Sequence, residues 1–150
     1  MKIDHLNIVV ADLERAATFY ETVFGFVRGF SASLQGEWIE TVSGLKGAKA
    51  DCLFLQAPEG ETRIELIRYD VPTGTAFEEN SKANTVGLRH IAFEVDNIDA
   101  TLAKVRELGI TPISNPVEVP FKVGNLGVKR LAYFHDYDGT LLEAASYQKS

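Results

Sequence analysis

Residues 88–110 read LRHIAFEVDNIDATLAKVRELGI, and residues 3–26 read IDHLNIVVADLERAATFYETVFGF. Each opens with an alternating run. Ile91, Phe93 and Val95 share one side in the first, Leu6, Ile8 and Val10 in the second, and a histidine (His90, His5) stands on the opposite side. The two histidines lie 85 positions apart (90 − 5). Each strand then runs into a helical stripe. Leu13, Ala16, Ala17, Tyr20, Val23 and Phe24 form one, with Asp12 as N-cap and Gly25 as stop. Ile98, Leu102, Val105 and Leu108 form the other, capped by Asp96 or Asn97 and stopped by Gly109. A strand–helix unit that recurs with the same caps and length marks an internal repeat, and a repeat constrains the whole fold.

Working outward, each half continues in β. FVRGF, ADCLFLQ and TRIELIRY read as strands in the first half, with APEGE as the hairpin turn. ITPIS, VKRLAYF and GTLLEAAS take those parts in the second, with HDYDG as the turn. Each half is then β-α-β-β-β. The expected organisation is a single α+β domain of two such modules, 1–70 and 86–147, joined by a polar linker at 71–85. The first half carries an insert, SASLQGEWIETVSGLKGAK, in which 37–45 reads as a short helix with Trp38, Val42 and Leu45 on one side. It is either a flap that patches the core or a lid. VEVPFKVGNLGVKR reads as a glycine-bearing loop, either ordinary or able to close over a ligand.

Composition narrows the function classes. The chain has 150 residues, 45% of them apolar, which suits one compact domain. A net charge of −6 with fifteen scattered basic residues argues against nucleic acid, whose phosphates require clustered Lys and Arg. No apolar run reaches the roughly 20 residues of a membrane helix, and the N-terminus has no secretory h-region, so no membrane partner is expected. The single cysteine, Cys52, excludes an internal disulfide and reads as a small core residue. A cytoplasmic protein is the expectation.

The chemistry-bearing positions follow from the period of two. His5 and Asn7 face away from the first helix, and His90 faces away from the second. In the last strand of each half a lone carboxylate, Glu65 or Glu143, stands among apolar neighbours. A charged carboxylate there is costly without a positive partner. Singly, each of the four has a structural explanation: a hydrogen-bonded histidine, Glu65 paired with Arg63 or Arg68, Glu143 on an exposed edge. Their recurrence at equivalent positions favours a shared role, because two imidazoles and two carboxylates can neutralise a divalent cation if the halves face each other. His135, in the HDYDG turn, has no counterpart in the first half and is expected to be solvated.

IDHLNIVVADLERAATFYETVFGF, RIELIRY, LRHIAFEVDNIDATLAKVRELGI and YDGTLLEAAS resemble the vicinal oxygen chelate superfamily. Its members include glyoxalase I, methylmalonyl-CoA epimerase, extradiol dioxygenases, fosfomycin-resistance enzymes and bleomycin-binding proteins. The resemblance spans nearly the whole chain outside the insert and linker. It implies paired βαβββ modules with curved mixed sheets around a metal-binding cavity, and metal ligands at His5, Glu65, His90 and Glu143. Glu65 is similar to the glutamate of the glyoxalase I branch. Extradiol dioxygenases match at His5, His90 and Glu143 and need only two histidines and one carboxylate. Binding-only members commonly lack the metal set.

The implied cofactor is one divalent metal per site, Ni, Zn, Co, Mn or Fe, with glutathione as a conceivable cosubstrate. The implied substrate is a small molecule with two adjacent oxygens. The first expectation is a metal-dependent lyase or isomerase of the glyoxalase I type, acting through a metal-bound enediolate with Glu143 or Glu65 as both ligand and catalytic base. Alternatives are an epimerase of the methylmalonyl-CoA type, an extradiol-type dioxygenase and a non-catalytic antibiotic-binding protein. Arg28, Arg63, Arg68, Lys122 and Arg130 are candidates for an anionic cosubstrate, or are solvated strand-edge charges. A homodimer is expected, since concave sheets and edge strands need cover. Modules in this family pair within a chain or between chains.

Overall fold

In a computed structural model, described for residues 1–76 and 82–148, the chain divides into two compact units, Met1–Ala76 and Phe77–Ser150. The first unit contains β1 (Leu6–Val9), α1 (Leu13–Phe24), β2 (Val27–Gln35), α2 (Glu37–Ser43), β3 (Lys49–Gln56) and β4 (Arg63–Val71). Its strands form one sheet in the order β1-β4-β3-β2. β1 runs parallel to β4, and the other pairs are antiparallel. The second unit contains β5 (His90–Glu94), α3 (Ile98–Glu107), β6 (Val117–Lys122), β7 (Val128–His135) and β8 (Leu141–Gln148). Its sheet has the order β5-β8-β7-β6, with β5 parallel to β8. Two four-stranded mixed sheets, each with one main helix, are the α+β architecture the repeat implied.

The helices form where the stripes place them. Asp12 caps α1 by accepting the Arg15 amide at 3.0 Å, and Gly25 ends it with a left-handed φ of 74° that a side chain would strain. Asn97 caps α3 through the Ala100 amide at 2.9 Å. Ala16, Ala17, Phe19, Tyr20 and Val23 of α1 are buried, as are Ile64, Leu66, Leu53 and Leu55 of the first sheet. In the second unit Ile98, Leu102 and Val105 are buried with Phe134, Leu142 and Ala144. Each such side chain removed from water stabilises the fold by about 1.5–3 kcal/mol. Phe19 belongs to this buried face although the sequence stripe leaves it out.

Several expectations are corrected. ITPIS is not a strand; one ladder-like bond, Ile113 N–H to Tyr133 O at 2.8 Å, is what it contributes. The fourth strand of the second sheet is VEVPFK, expected to be loop. In the insert, residues through Gln35 extend β2, and α2 buries Ile39 while Trp38 and Val42 stand exposed, so the inward side is one residue away from the expected one. β4 runs one residue into the expected linker, to Val71, and residues 77–81 of that linker lie outside the described part. Among the described residues no helix is long and apolar enough to cross a membrane.

Candidate metal centre

Parallel pairing of the first and last strands of each unit brings a histidine beside a glutamate. His5 immediately precedes β1, whose Asn7 lies opposite Glu65 of β4. Its Nε2 is 3.2 Å from Glu65 Oε2. His90 opens β5, opposite Leu141 of β8, and its Nε2 is 3.2 Å from Glu143 Oε2. The two pairs repeat in atoms and in distance. The structure thus brings the four expected ligands together as two pairs, one in each unit. Among the described residues no group of three or more His, Cys, Asp or Glu side chains gathers at metal-holding range.

The surroundings of the pairs differ. In the first unit, Asp4 Oδ2 lies 2.7 Å from His5 Nδ1, and Asp4 Oδ1 accepts from Arg63 Nη2 at 2.6 Å. The hydrogen bond with His5 is the main reason the Asp4 carboxyl sits below its usual pKa. Asn7 Nδ2 donates to Glu65 Oε2 at 3.1 Å. The Phe54 ring meets His5 edge-on, with centroids 5.3 Å apart, and carries the Arg63 guanidinium at 5.5 Å.

In the second unit Glu143 is buried, with a side chain 2% exposed, and the Lys129 ammonium forms an ion pair with its Oε1. Burial works against the charged Lys129, but the contact with Glu143 outweighs it and raises the ammonium pKa. Tyr133 lies opposite Glu143 in the β7–β8 ladder, its ring 5.1 Å from that of His90. Burial first, then the Glu143 charge, push its phenol pKa up.

Each pair offers donors of the kind a divalent transition cation takes, one imidazole nitrogen and one carboxylate oxygen. His5 Nδ1 is engaged by Asp4, so Nε2 meets Glu65 Oε2 either as an N–H or as a lone pair. Two lone pairs at that separation require a cation between them. Such a cation binds imidazole nitrogen and carboxylate oxygen at about 2.0–2.2 Å, which sets adjacent ligand atoms about 3 Å apart. Both pairs match that spacing. Backing of His5 by a carboxylate is the arrangement that fixes the ring and tautomer of a metal-binding imidazole.

The basic candidates mostly serve the scaffold. Arg28 clamps α1 through Glu21 at 2.9 Å and Glu14 at 2.7 Å, Arg68 pairs with Asp51 and Asp70, and Arg130 pairs with Asp99. Arg63 holds Asp4. Lys122 lies exposed on β6. His135 is the half-buried last residue of β7, not a solvated turn residue. Cys52 is buried at 3% exposure, and burial raises its thiol pKa, as suits a core residue. Sequence reading missed Asp4, Lys129 and Tyr133 as neighbours of the pairs. Their signal is register: only the pairing of β7 with β8 shows that Tyr133 faces Glu143 and that Lys129 lies four residues further along the same strand face.

Comparisons with known proteins agree with this fold. The family model of the glyoxalase/bleomycin resistance protein/dioxygenase superfamily matches residues 4–127, a span holding His5, Glu65 and His90. Human mitochondrial methylmalonyl-CoA epimerase is 30% identical over 147 residues, covering 95% of this chain and 72% of the epimerase. A glyoxalase family protein from Bacillus cereus superposes with a TM-score of 0.86 at 27% identity, covering 98% of this chain and 94% of that one. The fosfomycin resistance protein FosX from Listeria monocytogenes, complexed with Mn(II) and sulfate, shares the fold at 21% identity and a TM-score of 0.62, covering 98% and 90%. The chain belongs to the glyoxalase/bleomycin resistance protein/dioxygenase superfamily.

Proposed function

We propose that this chain is a metal-dependent isomerase or lyase that moves a proton on a carbon beside a carbonyl, in a small substrate with two adjacent oxygens. The observation that carries the reading is the repeated His–Glu pair, with 3.2 Å between Nε2 and Oε2 in both units. His5, Glu65, His90 and Glu143 would hold one divalent cation, Ni, Zn, Co, Mn or Fe, between two pairs. When bound, that cation supplies Lewis acidity, which makes the neighbouring C–H easier to ionise.

The chain's own groups do the rest. Both carboxylate oxygens of Glu143 are engaged, one by His90 and one by Lys129. Glu65 meets His5 and Asn7 through Oε2 alone, which leaves Oε1 for a proton. Glu65 is therefore the base, taking the α-proton and returning it. Asn7 and Asp4 orient Glu65 and His5 and do no chemistry themselves. Within this class the human relative supports epimerisation of an acyl-CoA thioester. The glutamate at position 65 supports the glyoxalase I reaction on a glutathione hemithioacetal. The active form is a cytoplasmic homodimer.

The test is mass-spectrometric metal analysis of untagged protein, followed by proton exchange in deuterated water. About one metal per chain is expected in wild type. With the epimerase reading, an acyl-CoA thioester gains α-deuterium without net conversion, and Glu65→Gln stops the exchange. Conversion of a glutathione hemithioacetal to a thioester would select the lyase instead. A protein that takes up none of the five metals, even on reconstitution, sinks both.

A further inference from the structure

The two halves of the candidate centre differ in the charges around them, and one difference falls directly on a glutamate. In the β3–β4 ladder, Ala50 lies opposite Tyr69, four residues beyond Glu65. In the β7–β8 ladder, the equivalent position opposite Tyr147 is Lys129. Its ammonium lies over the Tyr147 ring, 6.0 Å from the centroid, and pairs with Glu143. The first half keeps Glu65 with a neutral donor, Asn7, on the shared oxygen. The second half keeps a carboxylate that is 2% exposed against a full positive charge on a side chain itself only 19% exposed.

That asymmetry has an electrostatic consequence. A buried carboxylate needs a counter-charge, and Lys129 provides it without any metal. A divalent cation on Glu143 would meet a positive charge one carboxylate away, where partial burial weakens solvent screening. The ammonium and the metal therefore compete for the same carboxylate. Lys129 as a mere support for Glu143 would have the opposite effect, because its loss would disorder a ligand.

We infer that Lys129 is an internal counter-cation that holds Glu143 in the metal-free protein and opposes the metal for it, so that it sets how weakly the centre binds its cation. The inference rests on the four-ligand reading above and assigns regulation of affinity to a residue outside that set. It also accounts for a fully buried glutamate being tolerated before loading.

The test is competitive titration of Ni(II) or Zn(II) against a chelating dye, at fixed pH and salt, with melting temperatures of the metal-free proteins measured alongside. Lys129→Met is expected to bind at least about tenfold tighter than wild type, and Lys129→Arg, which keeps the charge, to stay near wild type. Without metal, Lys129→Met is expected to melt lower, and adding Glu143→Gln to recover part of the loss. Should Lys129→Met fail to fold, Lys129→Gln carries the same expectation. Equal or weaker binding by the uncharged variants, with wild type loading normally, overturns this inference and leaves the proposed function standing. No binding by any variant overturns both.

Discussion

At the scale of single residues, the first half-site is built from the outside inward. Arg63 holds Asp4, Asp4 holds His5 Nδ1, and His5 presents Nε2 to Glu65. The chain of contacts fixes an imidazole that is otherwise one-third exposed. Asp4→Ala is expected to lower metal affinity about 10–100-fold, the usual cost of losing such a backing carboxylate. The melting temperature of the metal-free protein should hardly move, because the Asp4 side chain is exposed at 64% and its ion pairs are surface ones. A dye-competition titration beside a thermal melt separates the two effects. A large drop in melting temperature with unchanged affinity would make Asp4 a strand anchor instead.

At the scale of elements, amphipathic periodicity reveals what it packs. α1 and α3 were legible because each lays a continuous apolar stripe on a sheet and starts at a capping side chain. Asp12→Ala removes the acceptor for the Arg15 amide and is expected to cost about 1 kcal/mol, while Asp12→Ser should retain most of it; denaturant melts decide. β3, β4, β7 and β8 were legible for the same reason, as buried strands with turn signals between them.

β6 was not, because an edge strand need bury little. It is exposed along most of its length, and Pro120, lacking an amide proton, falls where the ladder slips between Glu118 and Lys122. ITPIS imitates a strand with Ile110 and Ile113, yet Pro112 sits between them and one backbone bond is all it makes with β7. In α2, seven residues are too few for periodicity to distinguish Ile39 from Trp38 as the inward side chain. The histidines and glutamates were legible through repetition. Lys129, Tyr133 and Asp4 were not, since their importance depends on which atoms the strand register brings near.

At the scale of the whole molecule, the proposed centre would make two compact units interdependent. Each unit would supply two ligand side chains, and two ligands seldom retain a transition cation against water and buffer. Removing His5 from the first unit or His90 from the second should therefore abolish metal binding equally, although neither substitution touches the other unit's core. A variant that keeps half the metal would mean that each pair binds alone, and the four-ligand reading would fail. Mixing the two variants after unfolding and refolding them together then tells which units cooperate. If units of different chains pair in a dimer, half the dimers are mixed and one of their two sites is intact, so about a quarter of the wild-type metal returns. If the units of one chain pair, every site retains a missing histidine and none returns. Chelator removal of the recovered metal should lower the melting temperature of the mixture toward that of the single variants, because a cation bound only by the folded state stabilises it by mass action.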